Sequence, residues 1–211
     1  RVHGGIQLPG NAALEYSFDQ VAKSNIEEKN AIAKAAFELL SDEEIIFCDA
    51  GTTVLCFCME LAGRIGETSG NIRMYTNSLA HFEVLSPHVP ITLIGGEYRP
   101  HRKDFSGYLA ELALSRVHFT KCFLGTDGCD MKKFFTTTDF DTARMDEMAM
   151  RNSDETIILC ASDKFSSCAQ VGYASFEDVD KIVTDTGVEK EVCDKLESSG
   201  IQVIKAEAVP L

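Results

Sequence analysis

The first regular pattern along the chain is helical. Ile26, Ile32, Ala33, Ala36, Phe37 and Leu40 recur at helical spacing with charged residues between them, which predicts an amphipathic helix from Asn25 to near Ser41. Asn25 followed by Glu28 reads as a capping box at its start. Short apolar runs then alternate with helix-length stretches: Ile45 to Cys48, Met74-Tyr75, Ile91 to Ile94, Cys122 to Leu124, Thr156 to Cys160, Ile182 to Thr184 and Ile201 to Ile204. Runs apolar on both faces belong to strands buried on both sides, and in an α/β alternation such strands form a mostly parallel sheet covered by helices. The pattern predicts an α/β fold built on a doubly wound, Rossmann-like sheet, with or without a small α+β sub-lobe. Met131 to Asp141 follows neither period and reads as a loop or small insertion. Upstream, His3-Gly4-Gly5 and Pro9-Gly10 interrupt regular structure, so residues 1–24 read as a linker or leading arm and 25–211 as the domain.

At 211 residues the chain can bury one substantial core. No stretch approaches the roughly 20 apolar residues of a membrane span, so a soluble, cytoplasmic protein without membrane contact is expected. Lys and Arg number 20 against 33 Asp and Glu, a net charge of −13. Such a surface repels a nucleic-acid backbone instead of releasing counterions from it. It still admits a small anion, because a few N–H groups and one cation in a cleft act over a short screened distance. Of the eight cysteines, Cys48, Cys122 and Cys160 fall in strand-like runs and Cys56 and Cys58 in a helical one, the placement of reduced core thiols. Neither they nor the five histidines show metal-ligand spacing. No nucleophile elbow of the Gly-x-Ser-x-Gly type is present, so no metal, cofactor or covalent nucleophile is expected.

In a doubly wound sheet, ligands sit outside the carboxyl ends of the strands, and here those ends are polar. Asp49-Ala50-Gly51-Thr52-Thr53 joins a tight glycine turn to two hydroxyls where a helix would start, an arrangement that cradles anions. It equally suits a plain strand-to-helix turn with Thr as N-cap. Thr76-Asn77-Ser78 offers further polar contacts or caps a helix beginning at Leu79, and Gly95-Gly96 either lets a ligand approach the backbone or forms a turn. Asp127 and Asp130 could bond sugar hydroxyls or sit in an ordinary turn. Lys164, directly after an interior strand, is the candidate to neutralise phosphate charge.

Taken in order, Arg1-Val2-His3-Gly4-Gly5, Glu28-Lys29, Asp49 to Thr53, Thr76-Asn77-Ser78-Leu79, Gly95-Gly96, Gly125 to Asp130, Ser162-Asp163-Lys164-Phe165 and Ile182 to Asp185 resemble the sensor domain of DeoR-type transcriptional repressors over nearly the whole chain. The resemblance implies a fold shared with ribose-5-phosphate isomerase and CoA transferases. It implies a phosphorylated sugar or related metabolite as effector, a homo-oligomer, and operator DNA bound only through a winged helix-turn-helix preceding Arg1. Val21 stands near a position where the family carries an arginine. Thr142-Ala143-Arg144-Met145-Asp146-Glu147 stands where it carries Glu-Ala-x-x-Lys-Arg, so Thr142, Asp146 and Glu147 change the charge the site presents. The alternative is a sugar-phosphate isomerase, since Asp127-Gly128-Cys129-Asp130 resembles that enzyme's Asp-Gly-Ala-Asp. Met131 replaces the Glu that follows there. Moving a proton between sugar carbons needs a placed carboxylate base, so its loss favours a binder over an enzyme.

Overall fold

The computed structural model describes residues 16–68, 71–132 and 134–207. Along them run α1 (Phe18–Val21), α2 (Ile26–Phe37), β1 (Ile45–Cys48), α3 (Thr52–Arg64), β2 (Arg73–Thr76), α4 (Leu79–Leu85), β3 (Ile91–Leu93), β4 (Glu97–Arg99), β5 (Asp104–Ser106), α5 (Tyr108–Leu114) and β6 (Phe119–Leu124). There follow β7 (Gly128–Asp130), β8 (Phe134–Thr137), α6 (Phe140–Arg151), β9 (Ser153–Leu159), β10 (Val171–Ser175), β11 (Lys181–Asp185), α7 (Lys190–Ser198) and β12 (Gln202–Ala206). Seven strands form one sheet in the order β12-β11-β9-β6-β1-β2-β3, with every neighbouring pair parallel. These are the seven apolar runs of the sequence. The chain starts at β1, moves outward through β2 to β3, then returns to β6 on the other flank of β1. The order therefore reverses between β1 and β6, which opens a crevice at their carboxyl ends.

Alternate residues of each strand feed opposite faces, as the two-residue period requires. Ile46, Cys48, Phe123, Ile157 and Leu159 meet Ile32 and Ala36 of α2 and Phe57 and Leu61 of α3. Phe47, Cys122, Leu124 and Ile158 meet Leu114 of α5 and Met145 and Ala149 of α6 on the other side. All eight cysteines are free thiols, and every one except Cys168 is buried.

Two local expectations are corrected. Asn25 adopts a left-handed φ of 50° and makes no side-chain cap, a conformation that asparagine tolerates and that turns its side chain from the helix end. Instead its carbonyl accepts from Lys29 N. Met131 to Asp141 is largely regular: it contains β8, which is central to an antiparallel β10-β8-β7 sheet, and the first turn of α6. A hairpin of β4 and β5 supplies the remaining small sheet, and β5 is tied to the end of β2 by Phe105 N donating to Asn77 O at 2.8 Å.

Phe123 lies at the centre of the large sheet, fully buried, and stacks on Phe57 with ring centroids 4.4 Å apart. Phe123→Ala should cost about 3–5 kcal/mol of folding stability, measured as a lowered urea midpoint with an unchanged slope.

Candidate functional site

The crevice between β1 and β6 is shaped by one carboxylate. Asp49 follows β1, and its two oxygens accept from Gly51 N and Gly125 N, each at 2.7 Å. The backbones after β1 and β6 are thereby held close, most tightly at Gly51. A Cβ on Gly51 would lie 3.0 Å from Asp49 Oδ1 and 3.3 Å from Gly125 Cα. Tyr173, buried, fixes the same turn from the far side by donating its hydroxyl to Gly125 O at 2.6 Å.

Helix α3 begins immediately after this clamp. Its N-cap is Gly51, with no capping side chain, so the N–H groups of its first turn have neither an intrahelical acceptor nor a side-chain one. They carry the positive end of a helix of 13 residues. Thr52 and Thr53, expected either to cradle an anion or to cap, start the helix and do not cap it. Two lysines border this end of the cleft. Lys29, on α2, is 2% exposed and donates Nζ to Val21 O at 2.5 Å. Burial lowers its pKa, and Lys164 nearby lowers it further. Lys164 Nζ lies 3.1 Å from the neighbouring Asp163 carboxylate.

The other wall is acidic and cross-linked. Asp127 Oδ2 accepts from Thr137 Oγ1 and Thr138 N, both at 3.0 Å. Arg102 reaches Asp139 at 2.8 Å and Asp127 at 3.6 Å, with its guanidinium 4.0 Å from the Tyr16 ring centroid. Arg99 grips Asp104 through two nitrogens at 2.8 and 2.6 Å and also reaches Asp139 at 2.7 Å. Asp146 enters from α6 and is 2% exposed. Its pKa is raised well above the ordinary range, first by burial and then by Asp49.

The cleft therefore gathers Asp49, Gly51, Thr52, Thr53, Asn77, Asp127 and Lys164 from distant parts of the sequence. Thr76, Ser78, Gly95, Gly96 and Asp130 lie outside its lining. The Thr76 hydroxyl accepts from Ser78 N at 3.0 Å, and the Ser78 hydroxyl caps α4 by accepting from His81 N at 3.3 Å. A Cβ on Gly96 would stand 2.4 Å from Ser106 O, and Asp130, at the end of β7, accepts from Lys132 N. Of the family positions that differ, Val21, Thr142 and Asp146 line the cleft, whereas Glu147 faces a separate groove and pairs with Arg151. Arg1 to Gly5 lies outside the described residues. Tyr16, Lys29, Arg102, Gly125 and Thr126 join the lining without having been singled out for it. His81, set aside with the other histidines, is fully buried one turn into α4, and its charge acts on Asp49.

The crevice at the switch point of this parallel α/β sheet, with an uncapped helix end on one side and carboxylates on the other, lies where ligands bind in folds of this kind. Residues 24–186 match the family described as DeoR C terminal sensor domain, and the chain belongs to that family. It is 32% identical over 210 residues to the HTH-type transcriptional regulator GlpR of Haloferax volcanii, covering 99% of this chain and 80% of that protein. It is 31% identical over 210 residues to the lactose phosphotransferase system repressor of Lactococcus lactis, covering 98% and 80%. In fold it is similar to ribose 5-phosphate isomerase A of Methanocaldococcus jannaschii, with a TM-score of 0.52 at 19% identity. That match covers 67% of this chain and 55% of the enzyme.

Burial is the largest influence on Asp49 and raises its pKa from 3.8 to about 6, against the Gly125 and Gly51 N–H groups and His81. The folded protein holds this proton more tightly than the unfolded chain does. The group's contribution to stability is thus complete below about 3.8 and is lost as pH rises through about 6. Across that window, urea unfolding should show the parent losing stability relative to Asp49→Asn; parallel profiles would remove Asp49 as the source.

Proposed function

We propose that the cleft binds a phosphorylated sugar as the effector of a transcriptional repressor, with the phosphate against the first turn of α3 between Lys29 and Lys164. The observation that carries this reading is the uncapped N-terminus of α3, opening into the crevice where the strand order reverses and bordered by two cations. Backbone N–H groups, helix polarity and ammonium charge there all favour the same ligand group. Asn77 and the acidic wall face the remainder of the ligand. DNA contact falls to a separate N-terminal module, in keeping with a net charge of −13 on these 211 residues. Among the described residues no helix is long and apolar enough to cross a membrane, and we place the regulator in the cytoplasm.

Catalysis is not part of this proposal. The Asp127 carboxylate is engaged by Thr137 and Thr138, and Met131 occupies the position of the isomerase glutamate. Isothermal titration with hexose monophosphates should show saturable binding without turnover. Charge-assisted hydrogen bonds contribute roughly 1.5–3 kcal/mol each, so Lys164→Ala should weaken binding by about one to two orders of magnitude. Thr52→Asp, which sets a like charge against the phosphate, should abolish it with the circular dichroism spectrum preserved. Unchanged affinity in both folded variants would place the ligand elsewhere, and isomerase turnover lost in Asp127→Asn would favour the enzyme reading.

The same proposal includes a homo-oligomer. Tyr108 and Leu109 on α5 and Phe140 on α6 are 73%, 67% and 74% exposed, around the Arg144–Glu111 ion pair that joins the two helices. An apolar cluster of this kind, on a monomer with so little excuse to display it, fits a second copy of the chain. Light scattering should report a multimer for the parent and a smaller species for Leu109→Asp combined with Phe140→Asp; equal masses would exclude this face.

A further inference from the structure

We infer that Asp185 is a positioning residue of the cleft: from the end of β11 it fixes the turn that carries Lys164, and so sets where the Lys164 ammonium meets the ligand's phosphate. This rests on the phosphate site proposed above and adds to it a residue outside the cleft lining.

The chain leaves β9 through Cys160 and Ala161 into a short 3-10 turn, Ser162–Ser166. Ala161 has no side chain with which to cap that turn, so the N–H at its start needs an acceptor from elsewhere. Asp185, buried at the end of the neighbouring strand, supplies it. Its Oδ2 accepts from Ser162 N at 2.7 Å, and its Oδ1 accepts from Ser162 Oγ and Gly187 N, each at 2.8 Å. Further along, Phe165 is buried, and Ser167 O accepts from Cys129 N at 2.7 Å. Lys164 stands between these fixed points. Its Nζ lies beside the half-exposed Asp163, a pairing weak enough to yield to an anion.

The arrangement repeats the logic of the Asp49 clamp. Asp49-Ala50-Gly51 and Asp185-Thr186-Gly187 are both Asp-x-Gly at a strand end. In each, Oδ1 accepts from the glycine N two residues on, while Oδ2 crosses to a backbone N–H after the adjacent strand, Gly125 in one case and Ser162 in the other. The first carboxylate places the helix end and the second places the cation. A Cβ on Gly187 would stand 2.8 Å from both Asp185 Oδ1 and Ser162 Oγ, so a methyl there must displace the tie without altering any charge.

Charge and position predict opposite signs. Removing a negative charge beside an anion site favours the anion, whereas releasing the turn weakens the grip of Lys164. Asp185→Asn keeps an acceptor for Gly187 N but sets amide donors against the Ser162 N–H. Titration calorimetry of the full chain with inorganic phosphate, glucose monophosphate and fructose monophosphate reads the outcome. Affinity for the probe that binds the parent most tightly should fall by about threefold to tenfold in Asp185→Asn and in Gly187→Ala. In a Lys164→Ala background the same two substitutions should change it by less than about twofold. Hydrogen exchange at the Ser162 and Lys164 amides should quicken in both variants without ligand. Tighter or unchanged binding in Asp185→Asn, or an equal loss with and without Lys164, overturns the inference and leaves the phosphate site standing. A parent that binds none of the three probes, or binds them as well once Lys164 is removed, overturns both. If Asp185→Asn does not fold, Gly187→Ala carries the test by the same criteria.

Discussion

The hydrogen bonds from Gly51 N and Gly125 N to the Asp49 carboxylate are the constraint on which the site depends. Two parallel strands leaving a sheet in opposite winding directions would splay at their ends, and nothing in the ladder itself ties the outgoing loops together. One buried carboxylate with two oxygens supplies that tie. It fixes where α3 starts, and therefore where the unpaired N–H groups of its first turn point. The approach is tightest at Gly51, where a Cβ would press on Asp49 and on the turn at Gly125.

Burying that carboxylate has an electrostatic consequence for everything around it. Asp49, Asp127 and Asp146 act on one another across the cleft, and burial pushes Asp49 and Asp146 toward their protonated forms. Arg99 and Arg102 hold Asp104, Asp127 and Asp139 in place by short, mostly part-buried pairs. Such pairs contribute little net stability once desolvation is counted, but they orient the wall. The hairpin of β4 and β5, which carries both arginines near its turn, is thereby docked onto the start of α6 through Asp139 and Thr142.

The large sheet was legible in the sequence because its strands are buried on both faces, and a run such as Ile45 to Cys48 or Thr156 to Cys160 has little other use. The small sheets were not. β4, β5 and β7 are three residues each and mix charged with apolar positions, and the pairing of β8 with β10 shifts register between Gly172 and Ala174. The same division runs through the site. Residues that follow strands, among them Asp49, Asn77 and Asp127, could be found by asking what leaves each apolar run. Lys29 and Asp146 sit in amphipathic helices where a charge ordinarily faces water, and only the fold turns these two inward. Arg102 comes from a hairpin turn with no periodic signal. Thr76, Ser78 and Gly96 show the converse: they lie at or just after strand ends as the cleft residues do, yet Thr76 and Ser78 are spent on local hydrogen bonds and Gly96 on close packing.

Residues 16–24 contribute Tyr16 and Val21 to the lining of the cleft. Phe18 is buried and its N–H donates to His101 O at 2.9 Å, Asp19 pairs with Lys103 at 2.7 Å, and Tyr16 lies against Arg102. Lys29 holds the carbonyl of Val21 at the end of α1. A ligand changes a protein's conformation only through contacts that differ between its states. On the proposed reading, an anion at the start of α3 would compete with the Val21 carbonyl for Lys29, and a polar group near Arg102 with the ring of Tyr16. Both of these contacts lie on the segment that leads toward the amino terminus. A ligand that engages Lys29 or Arg102 in this way would link occupancy of the cleft to the placement of that segment.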